Sequence, residues 1–115
     1  MGTKLGTANL GAGYPTVAEA LKHLNFEIRH AKAAGCPVLK IIHGYGSTGT
    51  GGKIRPAVRK RLWEMQAKSQ VKAVILGEDF SIFNDSTRLA FQLCGALRRE
   101  RDLERRNQGI ALVIL

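Results

Sequence analysis

The sequence predicts an α/β protein: a single two-layer α/β sandwich with the element order β-α-β-α-β-α-β. Three observations carry that expectation. Short apolar runs rich in β-branched residues alternate with segments whose apolar residues recur at helical spacing. Gly, Pro or Asn punctuates most of the junctions. The length, 115 residues, suits one core, and neither an internal repeat nor a long linker divides it. The expected domain therefore spans 1–115.

Taken in order, the Gly-rich opening from Lys4 to Gly13 holds Leu5, Ala8 and Leu10, enough for one short strand. Thr16 and Glu19 form a capping box, in which the hydroxyl and the carboxylate each satisfy a backbone N–H of the other's end. Val17, Leu21, Leu24, Ile28 and Ala31 then make one apolar stripe, ended by Gly35 and Pro37. Val38 to His43 is apolar on both faces, as a central strand is. The second helix carries Ile54, Val58, Leu62 and Met65, and Pro56 sets its expected start near Lys53 to Arg55. Val71 to Leu76 reads as a strand. Asn84 or Asp85 caps a third helix bearing Leu89, Leu93 and Leu97, expected to run on as a charged, ion-paired surface through Arg106. Ile110 to Leu115 closes the sheet.

Composition narrows the partners. Eighteen Lys and Arg against nine Asp and Glu give a formal charge of +9. Seven cations between Lys53 and Lys72 face only Glu64, so this short stretch holds two thirds of the net charge. Such an excess favours polyanions, nucleic acid first. No apolar run approaches the roughly 18 residues of a membrane span, so no membrane partner is expected. Cys36 and Cys94 stand apart without the paired spacing of a zinc site, and each reads as a small buried apolar side chain. With no leader-like stretch after Met1, a cytoplasmic setting is expected.

The segment with chemistry attached runs from His43 to Arg55. Between Gly44 and Gly52 it contains five glycines, and it joins the carboxyl end of a central strand to a helix start. Ligands of open α/β sheets bind at that edge. Glycines let successive N–H groups face one concavity, and the helix N-terminus adds unpaired donors. Gly44, Tyr45, Gly46, Ser47, Thr48, Gly49, Gly51 and Lys53 are the expected phosphate contacts. Arg55, Arg59 and Lys60 extend the basic track; Tyr45 is the better candidate for stacking on a base, whereas Trp63 is expected to fill the helix–sheet interface. A Walker motif is absent, because Ser47 and Ile54 stand where it needs Gly and Ser or Thr. Glu78 and Asp79 read as a solvated turn in preference to a magnesium site.

The string His43-Gly44-Tyr45-Gly46, Thr48-Gly49-Thr50-Gly51, Ile54-Arg55 and Val58 resembles the glycine-rich motif of the Smr (small MutS-related) domain family. The resemblance extends from about Thr7 to Leu76, with Glu19-Ala20 matching a Glu-Ala pair, and resumes at Gly109 to Leu115. It implies a fold similar to the C-terminal domain of translation initiation factor three. It also implies nucleic-acid binding, to RNA or DNA, with the ribosome a further possible partner. Several family members nick DNA or cleave RNA. The family's first strand ends in Leu-Asp-x-His-Gly, whereas Asn9 and Gly11 occupy the Asp and His positions here. Neither residue can act as an acid or base. The helix expected near 84–107 is an insertion relative to the family. The expected function is thus a nucleic-acid-binding module with weak or no nuclease activity. The alternatives are an endonuclease, metal-assisted or metal-independent, using His43 as acid or base, and a binder of small phosphorylated molecules. No cofactor is expected.

Overall fold

The computed structural model describes residues 5–13, 15–44 and 51–115, with the backbone alone at residue 51. Four strands, β1 (Leu5–Asn9), β2 (Val38–Ile42), β3 (Ala73–Leu76) and β4 (Ile110–Ile114), form one sheet in the order β1-β2-β4-β3. β1 and β2 run parallel, which requires the crossover supplied by α1 (Val17–Ala33). β4 is antiparallel to both β2 and β3, so the sheet is mixed.

Local chemistry sets the helix ends. Thr16 accepts from the Glu19 N–H at 3.1 Å, and Glu19 accepts from the Thr16 N–H at 2.8 Å, the reciprocal cap expected of that pair. Asn84 caps α3 (Asp85–Leu93) by accepting from Thr87. Ala20, Leu24, Ile28 and Ala31 of α1 pack with Ile54, Val58, Leu62 and Met65 of α2 (Gly51–Ala67). Both helices cover the sheet face that bears Leu39, Ile41, Val74, Ala111 and Val113. Burying each larger aliphatic side chain contributes about 1.5–3 kcal/mol.

The other sheet face has its own cover. Val38, Ile75, Leu112 and Ile114 pack against Ala90 and Phe91 of α3, Cys94, Leu97 and Phe80. Residues 77–107 thus add a third layer to the sandwich. Lys40, also on this face of β2, is 5% exposed and donates to Glu100 at 3.0 Å and to Asp102 at 2.6 Å.

Three local expectations are revised. α2 begins at Gly51 rather than near Lys53 to Arg55, so Pro56 lies in its second turn. Pro56 cannot donate to the Gly52 carbonyl, and Gly52 is exposed, where water can take the donor's place. The third helix stops at Leu93, followed by a 3-10 turn over Gly95–Arg99 and by turns to Arg106. Helical i,i+4 pairs are worth only about 0.2–0.5 kcal/mol each. The buried Lys40 draws Glu100 and Asp102 out of that geometry, and the Glu104 N–H donates to the Phe80 carbonyl instead. Trp63, expected to fill the helix–sheet interface, is 44% exposed because it follows Leu62 by one residue and faces away from the apolar stripe.

Candidate nucleic-acid interface

The carboxyl ends of β1, β2 and β3 and the start of β4 lie along one edge of the sheet. At the end of β1, the Asn9 side-chain carbonyl accepts from the Gly11 N–H at 3.0 Å. At the end of β2, the His43 and Gly44 N–H groups both donate to the Gly109 carbonyl. Gly44 has φ +75°, a conformation that side-chain-bearing residues rarely adopt. It turns the chain out of the sheet toward the glycine-rich segment. Tyr45, Gly46, Ser47, Thr48 and Gly49 lie outside the described residues. The chain is described again from Gly51, where α2 begins.

His43 is 2% exposed, behind the edge rather than on it. Its Nδ1 donates to the Gly44 carbonyl at 2.9 Å, and its Nε2 accepts from Arg59 Nε at 3.2 Å. These partners assign the neutral tautomer with its proton on Nδ1. Burial, set against the Gly44 carbonyl and reinforced by the charges of Arg59 and Arg55, pushes the ring from 6.5 down to about 4.

Arg59 is the hub of the edge. Its Nη1 and Nη2 each donate to a different Glu78 oxygen at 2.8 Å, a bidentate pair. Nη2 also donates to the carbonyls of Gln108 at 3.1 Å and Ile110 at 3.3 Å. Arg55 Nη2 stands 3.9 Å from the same carboxylate. The Arg59 hydrogen bonds outweigh burial and hold the Glu78 carboxyl at about 2. One guanidinium therefore joins α2, β2, β4 and the 3-10 turn Gly77–Asp79.

The expected basic track is thereby divided. Arg59 is turned inward and neutralised by Glu78, and Arg55 is drawn to the same partner. Lys53 and Lys60 are exposed, seven residues apart on the outer face of α2. Sequence reasoning identified neither the Arg59–Glu78 pair nor the Gln108 and Ile110 carbonyls. A helical projection hints at the division: Arg55 and Arg59 flank the apolar positions 54, 58 and 62, whereas Lys53 and Lys60 lie opposite them.

His43 provides a direct check. The unfolded chain takes up the imidazole proton first as pH falls, so the native state loses stability between about 6.5 and about 4. Below that window the contribution is constant. The loss expected from this ring is roughly 3 kcal/mol, read by denaturant unfolding across the window alongside NMR titration of the ring. A His43 ring that protonates at its ordinary value would contradict the buried arrangement.

Comparison with known proteins agrees with this architecture. The model of the Smr domain family matches residues 13–78, more than half of the chain. That match begins after β1, the strand carrying Asn9. The crystal structure of the Smr domain of Thermus thermophilus MutS2 superposes with a TM-score of 0.58 at 22% identity, covering 96% of each chain. This likeness shows the shared fold. Comparison with curated protein sequences yields no match. Among the described residues no helix is long and apolar enough to cross a membrane. From its glycine-rich edge and its α/β sheet, the chain belongs to the Smr domain family, which is known for nucleic-acid binding and nuclease-like function.

Proposed function

We propose that this protein is a nucleic-acid-binding module with weak or no nuclease activity. Backbone amides of the glycine-rich segment from Gly44 to Gly51, with Lys53 and Lys60, would hold phosphate groups. Ser47 and Thr48 would add hydroxyl donors, and Tyr45 a stacking surface. The observation that carries this reading is the start of α2. It follows the glycine-rich segment, has no carboxylate in its first turn and bears Lys53 exposed. A helix N-terminus and an exposed cation at a sheet's carboxyl edge favour an anion.

Binding is favoured over cleavage by the occupied side chains. Both ring nitrogens of His43 already have partners, and the ring is neutral at pH 7. Arg59 and Glu78 neutralise one another. Asn9 engages its own turn and offers no titratable group. Among these residues none is poised to carry a proton to or from a phosphodiester.

The test is the double variant Lys53→Glu/Lys60→Glu. Polynucleotide affinity at moderate salt is expected to fall at least about tenfold, with a shallower salt dependence. Both side chains are exposed, so the melting temperature should stay within about 2 °C of the parent. Unchanged affinity would refute the proposal. Cleavage of labelled RNA or DNA that His43→Ala abolishes, with binding retained, would replace it with the endonuclease reading.

A further inference from the structure

We infer that the seam between α1 and α2 is a second, continuous contact for a polynucleotide, guiding the sugar–phosphate backbone away from the glycine-rich edge. This inference rests on the nucleic-acid reading above and extends it across the helical layer. The seam is an open groove of about 600 Å³. Its charged lining is Arg29 and Lys32 from α1 with Arg61 and Lys68 from the α2 side, against Glu64.

The groove is built rather than incidental. Arg61 Nη1 donates across the seam to the Asn25 side chain at 3.1 Å, and Arg61 Nε lies 3.6 Å from Glu64. Lys32 Nζ donates to the Gln70 carbonyl, fixing a second cation at the far end. Among the described residues, Arg29 and Lys68 have no ion-pair partner and face the groove. The floor is apolar, formed by Ile28 and Met65, so the groove offers cationic walls over a surface that excludes water.

Its course joins the first contact. Lys53 and Lys60 share one stripe of α2, and Arg61 and Lys68 share the neighbouring stripe that borders the groove, so cations run from the helix start to just past its end. At 1.5 Å per residue that path is about 22 Å long. It accommodates several consecutive phosphates of one strand. A lipid surface fits less well, because the groove is concave and none of its described lining residues is an exposed apolar side chain.

The experiment compares the parent protein with Arg29→Glu/Lys68→Glu on single-stranded oligonucleotides of about four and about twelve residues. Only the longer strand can occupy the glycine-rich edge and the groove at once. The variant should bind the longer one at least about tenfold more weakly, with a salt slope lower by about 1.4 for two lost phosphate contacts. Its affinity for the shorter strand should stay within about twofold. Equal losses on both lengths, or no loss on either, would overturn the inference while leaving the edge contact standing. A parent protein that binds neither strand would overturn the nucleic-acid reading itself, and this inference with it. Competition by polyglutamate or anionic vesicles as effective as the longer strand would also overturn it. Arg29→Gln/Lys68→Gln, which removes charge without reversing it, should show the same length-dependent loss in milder form.

Discussion

Gly77→Ala is expected to cost at least about 3 kcal/mol, lowering the melting temperature by roughly 10 °C or more. An added Cβ at Gly77 would lie 2.6 Å from Ile110 Cγ1, 2.8 Å from the Ile110 carbonyl oxygen, and closer still to the Asn107 carbonyl oxygen. Two of these three neighbours are backbone atoms, and a close-packed interior has no slack to move them cheaply. Gly77 also opens the turn that presents Glu78 to Arg59. Displacing it would therefore disturb the ion pair, and with it the contacts to Gln108 and Ile110. Thermal and denaturant unfolding measure the effect. A melting temperature within about 3 °C of the parent would show that this close approach is not a constraint.

Lys40→Ala is expected to be comparably damaging, by about 3–5 kcal/mol. It removes the only cation between Glu100 and Asp102 among the described ion pairs, leaving two carboxylates beneath α3 and its following turn. In the parent, burial works to raise the Asp102 carboxyl, but hydrogen bonds from Lys40 and Asn107 prevail and hold it below its ordinary value. Its contribution is therefore present above the unfolded carboxylate range and lost as pH falls through the folded one. Without Lys40 the sign reverses. The variant should gain stability relative to the parent as pH is lowered from 7 toward 5, because protonation relieves the unpaired charge. Adding Glu100→Gln and Asp102→Asn to Lys40→Met should recover a large part of the loss at pH 7. A pH dependence like the parent's would contradict the pairing.

The same two clusters mark how far the sequence could be read. The α1 cap, the α1 and α2 stripes and all four strands follow short-range rules, and they are legible because each signal lies within a few residues of its effect. The glycine-rich motif is legible in the same way. Arg59–Glu78 spans 19 residues and Lys40–Asp102 spans 62. No local pattern specifies either. The run from Arg98 to Arg106 illustrates the failure: its spacing suits a helix, yet a buried lysine from another strand outbids the helical pairs. Trp63 was similarly ambiguous, since an aromatic beside an apolar stripe fits both a core and a surface position. The edge at the carboxyl ends of the strands was readable as a location. The division of its cations between a neutralised interior pair and an exposed pair was not.

The sheet order has a consequence for how the molecule comes into being. β4 is the last strand along this chain, yet it lies between β2 and β3. Until Ile110–Ile114 takes its place, the β1–β2 pair and β3 share no backbone ladder. A nascent chain can form its helices early, but it cannot assemble the sheet piecemeal. Assembly of the sheet should thus be cooperative, and slow for its size, since the decisive pairings are distant in sequence.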